Sequence, residues 1–211
     1  MLRLAYTALL TLIAPLALCV TALRGLRDPA YRERLPERYG FTRTDSTQLA
    51  APSAAGGPEL QARPVWLHAV SVGEVQAAAS LVRALLQRHP QRPILITTAT
   101  PTGAQRVRAL FGERVRHVYL PYDLPGAVRR FLDRVRPAIG IIMEREIWPN
   151  LFRECERRRI PIVLASARIS AQSALRHQRF AGLFREALAG NVTVAAQTPK
   201  DADRYRSIGP R

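Results

Sequence analysis

Lysine is almost missing from this chain. Lys200 is the only one, so the 32 basic residues that face 16 acidic ones are otherwise all arginine, and the net charge is +16. A surplus of that size points to anionic partners: nucleic acid, an anionic membrane or a phosphorylated substrate, which net charge alone does not separate. Cysteine is scarce too. Cys19 and Cys155 stand far apart in no CxxC or Cys/His spacing, which excludes a disulfide framework and a zinc module and suits a reducing compartment. His68, His89, His117 and His177 share no metal spacing, and no cofactor motif is present, so neither metal nor cofactor is expected. Internal repeats and charged low-complexity tails are also lacking. What is there is enough for a large core: 211 residues, 47% of them apolar, allow one domain or at most two small ones.

Charge is missing altogether from Leu4 to Leu23, a run of 20 residues that would span a hydrocarbon core as a helix. A spanning anchor, a cleaved signal peptide and a buried helix all fit that run. Arg3 and Val20-Thr21-Ala22 supply the ends of a signal peptide. Arg24, Arg27, Arg32, Arg34 and Arg38 follow the run, and this excess favours an anchor with the following segment held on the cytoplasmic side. Thr42 to Arg63 is rich in Ser, Thr, Ala, Gly and Pro without period, and reads as a linker or flexible loop. The expected organisation is an anchor over residues 1–25, a basic collar and flexible linker over 26–63, and one domain over 64–211.

That domain alternates short β-type apolar runs with helical patterns, the signature of a parallel α/β sheet. Strands are predicted at Val65–Val70, Ile94–Thr98, Val115–Leu120, Ala138–Met143, Ile162–Ala165 and Val192–Ala196. One intervening helix gathers Leu124, Val128, Phe131, Leu132 and Val135 on one face, and another Val75, Ala78, Ala79, Val82, Leu85 and Leu86. Ligands of such folds lie beyond the carboxyl ends of the strands, so the residues after each strand are the candidates. After the first come Ser71, Gly73 and Glu74. The glycine permits close backbone approach, and Glu74 sits in a first helical turn that favours an ionised carboxylate; a Ser71–Glu74 capping box fits the same spacing. After the second come Thr98, Thr100, Thr102 and Gly103, either hydroxyls and amides for a sugar or phosphate, or a helix start with Thr100 as N-cap and Pro101 at N1. Pro121-Tyr122-Asp123 reads as a turn and cap. Past the fourth strand, Glu144-Arg145-Glu146-Ile147-Trp148-Pro149-Asn150 packs two carboxylates around an arginine, in a site loop or a surface salt-bridge loop. After the fifth, Arg168 is suited to a carboxylate or phosphate, and Ser170 to a ligand or to capping the next helix.

Together these strings resemble the Kdo transferases: Leu67-His68-Ala69-Val70-Ser71-Val72-Gly73-Glu74, Thr97 to Gly103, Tyr119 to Pro125, Met143 to Asn150, Ala167-Arg168-Ile169-Ser170, and Gln197 through Asp201 to Gly209. Those enzymes move 3-deoxy-D-manno-octulosonic acid from its CMP-activated form onto the lipid A precursor in lipopolysaccharide assembly. The resemblance implies a Rossmann-like doubly wound parallel sheet preceded by one membrane-anchor helix, the N-terminal half of a GT-B glycosyltransferase, on the cytoplasmic face of the inner membrane. It implies Glu74 as general base and Glu144 as a transition-state stabiliser, with Glu146 in the same strip. Two positions depart from the family: Arg145 stands where a small polar residue is usual, and Ser166 where asparagine is common. It also implies a second, donor-binding domain that is expected to be absent from these residues.

The chemistry suits the residue types. An acceptor hydroxyl must lose its proton as it attacks the anomeric carbon, and one positioned carboxylate takes it. A second carboxylate stabilises an oxocarbenium-like transition state. The expected partners are the CMP-Kdo donor, the lipid A precursor acceptor and anionic membrane lipids. A catalytically inactive, membrane-tethered module that binds the lipid A precursor is the alternative. Nucleic acid is not expected, because the arginines are dispersed around an α/β body with no recognised binding module.

Overall fold

A computed structural model describes residues 2–42, 63–170, 172–173 and 181–209. Residues 43–62 of the linker, and His177, lie outside the described residues. Six strands form one parallel sheet: β1 (Val65–His68), β2 (Ile94–Thr98), β3 (Arg116–Tyr119), β4 (Ile139–Met143), β5 (Ile162–Ala167) and β6 (Val192–Ala196), in the order β3-β2-β1-β4-β5-β6. This is the doubly wound order, and its direction reverses between β1 and β4. Each predicted strand is present, with ends moved by up to two residues: β1 stops at His68, and β5 runs on to Ala167 through an irregularity in its pairing with β6.

The inner strands read as unbroken apolar runs because both faces of the sheet are covered. Trp66, Leu95, Ile142 and Leu164 point to one side, where they pack with Val128, Phe131 and Leu132 of α5 (Pro125–Val135) and Leu151, Phe152 and Cys155 of α6 (Pro149–Arg157). Leu67, Ile94, Ile96 and Ile141 point to the other, against Val75 of α2 (Val72–Ala77), Val82 of α3 (Ala79–Arg88), and Val107 and Phe111 of α4 (Pro101–Phe111). The single helix expected over Val75 to Leu86 is broken at Ala78, so α2 is short and turns Glu74 back over the end of β1. Gly140 makes room for an aromatic neighbour: a Cβ there would stand 2.9 Å from the Trp66 ring and closer still to Ile162. The chain closes with α7 (Ala181–Leu188) and α8 (Pro199–Ile208) beside β6.

The N-terminal segment packs on this body. α1 (Leu2–Arg27) is long and apolar enough to cross a membrane, and its side chains pair with the body near its two ends. Arg3 meets Glu186 at 2.9 Å, the Tyr6 hydroxyl donates to Asp123 at 3.0 Å, Thr7 donates to Asn150 at 3.0 Å, and Thr21 and Tyr122 share a hydrogen bond of 3.1 Å. The opposite face leaves Leu4, Leu9, Leu12, Leu16 and Leu23 exposed. Beyond α1, the arginine-rich stretch folds along the outer edge of the sheet. Glu37 and Arg38 are buried there: Glu37 accepts the backbone N–H of Tyr119, and the Arg38 guanidinium stacks on the Tyr119 ring and donates to the Ala99 carbonyl.

Candidate active site

The crevice at the carboxyl ends of β1 and β4, where the strand order reverses, is where open α/β sheets bind ligands. Both loops that open there carry carboxylates, Glu74 from the β1 side and Glu144 and Glu146 from the β4 side. Glu74 is half-buried. Its Oε2 accepts the Val70 backbone N–H at 2.7 Å, while Oε1 has only the Ser71 hydroxyl at 3.5 Å. The capping box is therefore not made, because the carboxylate takes the N–H of Val70 rather than that of Ser71. Ser71 is the N-cap of α2, but its hydroxyl takes no amide of the first turn. One oxygen of Glu74 is held firmly and the other is left with a weak partner, an arrangement open to a substrate proton.

Burial raises the pKa of Glu74, opposed by the hydrogen bond from Val70, and the negative charges of Glu146 and then Glu144 raise it further. Glu146 is raised as well, first by burial; Arg145 works against the rise and Glu144 adds to it. Glu144 and Glu146 thus lie close enough to Glu74 for their charges to act on it. Glu144 adopts a left-handed backbone (φ 58°), uncommon for a residue with a Cβ and frequent at functional sites. Its N–H donates to the Ala165 carbonyl, its carbonyl accepts from the Tyr205 hydroxyl at 3.4 Å, and its carboxylate accepts from Arg168 at 3.2 Å.

Arg168 is itself placed by α8. Asp201 accepts the N–H of Ile169 at 3.0 Å and the Thr198 hydroxyl at 2.6 Å, and Arg204 donates to the Ile169 carbonyl. Those bonds keep the Asp201 carboxyl below its usual range, the Thr198 hydroxyl contributing most. Ser166, in the same loop, also has a left-handed backbone (φ 54°), a conformation in which asparagine is enriched, and its hydroxyl accepts from Gln197. Asp201, Tyr205 and Gln197 hold the site together across 30 or more residues of sequence. A pattern of local spacing gives no sign of such links.

The remaining candidates divide. Thr98 is fully buried, its hydroxyl bonded to the Thr100 carbonyl and to His117. The Thr100 side chain accepts the Gly103 N–H as an N-cap, and a Cβ at Gly103 would stand 3.0 Å from that Thr100 oxygen. Thr102 is exposed and bonds to Thr100. Ser170 accepts the N–H of Ser173. Gly73 differs: a Cβ there would find only Ser71, 3.9 Å away, so that backbone stands open. His68 is fully buried and burial lowers its pKa to about 4, while burial and Arg34 lower that of His117 to about 3; both are neutral groups packed in the sheet. Asp123 is a cap, but of a distant helix: its carboxylate accepts the N–H groups of Asn150 and Leu151 at the start of α6, and the Tyr6 hydroxyl from α1.

Residues 33–211 match the family described as 3-deoxy-D-manno-octulosonic-acid transferase (kdotransferase). A 3-deoxy-D-manno-octulosonic acid transferase of Haemophilus influenzae is 43% identical over 207 residues, 98% of this chain and 46% of its own length. One from Bordetella pertussis is 45% identical over 173 residues, 77% of this chain and 40% of its own length, and a probable mitochondrial one from Arabidopsis thaliana is 34% identical over 168 residues, 80% of this chain and 35% of its own length. The chain thus spans less than half the length of these curated relatives. A doubly wound sheet bearing carboxylates at its reversal point, matched by the family over residues 33–211, makes this chain a member of the 3-deoxy-D-manno-octulosonic acid (Kdo) transferase family.

Proposed function

We propose that these residues form the acceptor-binding, base-bearing half of an enzyme that transfers Kdo from CMP-Kdo to the lipid A precursor, lipid IVA, at the cytoplasmic face of the inner membrane. The observation that carries this reading is the convergence of Glu74, Glu144 and Glu146 at the reversal of strand order, with one Glu74 oxygen weakly partnered. Glu74 takes the proton of the acceptor hydroxyl as that oxygen attacks the anomeric carbon of Kdo. The bond from that carbon to the CMP phosphate breaks, and CMP leaves with the electron pair. Glu144, oriented by Arg168, stabilises the positive charge that develops on the sugar. Ser71, Gly73, Thr102, Glu146, Arg168 and Ser170 complete the substrate-facing set, with Arg168 suited to the donor's carboxylate or phosphate, whereas Thr98 is buried and Thr100 and Gly103 are tied to each other at the start of α4.

The raised pKa of Glu74 serves a base, since proton transfer is most efficient when the pKa of the base approaches working pH. Donor binding is assigned to a second domain outside these residues. The arginine surplus suits a phosphorylated acceptor and anionic lipids, with each arginine close to such a surface contributing about 1 kcal/mol. Transfer of radiolabelled Kdo from CMP-Kdo, measured on the complete polypeptide, tests the assignment. Glu74→Gln should lower kcat by roughly a hundredfold to ten thousandfold while acceptor binding stays at the parental level. Parental turnover in that variant would overturn the role of Glu74, and robust turnover by the 211 residues alone would overturn the placement of the donor site.

A further inference from the structure

The side of α1 that faces the body is polar near its ends and small in its middle. Tyr6 and Thr7 pin one end to Asp123 and Asn150, and Thr21 pins the other to Tyr122. Between the pins, Leu10, Ile13, Ala14 and Ala17 face Tyr122, Leu124 and Trp148 across a slot of about 90 Å³. The two alanines leave the gap, and the polar pairs on either side keep it from closing. Asp123 also borders the slot, but its carboxylate is already occupied by two backbone N–H groups and the Tyr6 hydroxyl. The walls are therefore almost wholly apolar, and water, which needs two to four polar partners, is poorly held there.

Shape, continuity and charge identify what the slot would take. It is smaller than the roughly 150 Å³ cavity that accepts a benzene ring, so it suits a thin linear segment of alkyl chain. Ile13, on its wall, is 41% exposed and continues outward into Leu9, Leu12 and Leu16, which the body leaves uncovered. The mouth of the slot thus borders the apolar face that α1 offers to lipid. Trp148, on the opposite wall, lies two residues after Glu146, which puts the slot beside the loop that carries the β4 carboxylates. Arg24 and Arg27, in the last turn of the helix, suit an anionic head group. The indole N–H of Trp148 is buried without a hydrogen-bond partner among the described residues, and an acyl chain carries an acceptor for it in its ester or amide carbonyl.

We propose that this slot binds one acyl chain of the lipid acceptor, so that α1 forms one wall of the substrate site as well as contacting the membrane. The identity of that lipid rests on the function proposed above. The test uses tryptophan fluorescence of the full chain in detergent micelles. Trp148 borders the slot, whereas Trp66, the other tryptophan of the sequence, is fully buried in the sheet and shielded from a quencher in the slot. A phosphorylated disaccharide with brominated acyl chains should quench the emission, and its unbrominated counterpart should not. The quenchable component should vanish in Trp148→Phe and fall at least fivefold in Ala14→Phe, which fills the slot. Ala17→Leu, a smaller filling that leaves the polar pins in place, should weaken quenching in the same direction; circular dichroism at the parental level shows that both variants remain folded. Quenching that survives both fillings would overturn the slot. Equal quenching by brominated phosphatidylglycerol would overturn the acceptor as its occupant. Quenching in this chain together with no Kdo transfer by the complete polypeptide would support the slot and overturn the transferase reading, and transfer by the complete polypeptide without quenching here would do the reverse.

Discussion

Glu146 is the residue whose contribution is separable from the chemistry assigned to Glu74. It holds no bond to Glu74, yet after burial its charge is the largest influence raising that pKa. A general base works only when ionised, so activity must fall as pH drops through the raised value, and the acidic limb of the kcat profile lies above the ordinary glutamate range. Glu146→Gln removes one of the two neighbouring negative charges and should shift that limb to lower pH, with kcat on the plateau changed far less than in Glu74→Gln. A limb that stays in place would mean that Glu146 and Glu74 do not interact, and that burial alone sets the value. Glu74 was legible in the sequence as a carboxylate three residues after Ser71, at the end of a strand. The choice between cap and base was not legible, because it turns on the bond from Val70 to one carboxylate oxygen and the weak partner of the other.

Among the elements, the inner strands could be read as unbroken apolar runs because both faces of the sheet are covered there, and the α5 stripe from its helical period. Contacts between distant elements leave none. Asp123 was legible as a cap after β3, but the helix it caps begins at Pro149, and the same carboxylate takes the Tyr6 hydroxyl of α1. Burial raises its pKa from 3.8 to about 6 despite those donors. A carboxyl whose folded value exceeds its unfolded one holds its proton more tightly when folded. Its contribution to stability is therefore full below about pH 4 and is lost as pH rises through about 6. Asp123→Asn keeps the shape but loses an acceptor for one backbone N–H, and should destabilise by about 1–3 kcal/mol. By linkage the deficit should be greatest near pH 4 and narrow towards pH 7, because only the parent loses stability over that interval. Urea unfolding of parent and variant at both pH values measures it, and a deficit that widens with pH would reverse the sign assigned to this carboxyl.

For the molecule as a whole, the uncharged run that reads as a membrane helix is tied to the body at Tyr6, Thr7 and Thr21, while most of its surface stays exposed. Hydropathy along the run could not show this, because Tyr6, Thr7 and Thr21 are mild enough to pass within it and their partners lie more than 100 residues away. While these pairs hold, the face of α1 open to lipid is an apolar stripe flanked by arginines. Leu9, Leu12 and Leu16 are 55%, 79% and 62% exposed. Replacing all three with serine should therefore leave the fold intact while withdrawing roughly 1.5 kcal/mol or more of apolar transfer energy at each position, about tenfold in partitioning per leucine. Flotation with vesicles of neutral lipid isolates this contribution: the parent should float and the triple variant should remain in the dense fractions. With anionic vesicles at low salt the variant should recover part of its binding through the arginines, and lose it again near 1 M salt, where the Debye length falls to about 3 Å. If the triple variant floats with neutral vesicles as well as the parent does, the exposed face of α1 is not the membrane contact, and the helix must leave its seat on the body to reach the bilayer.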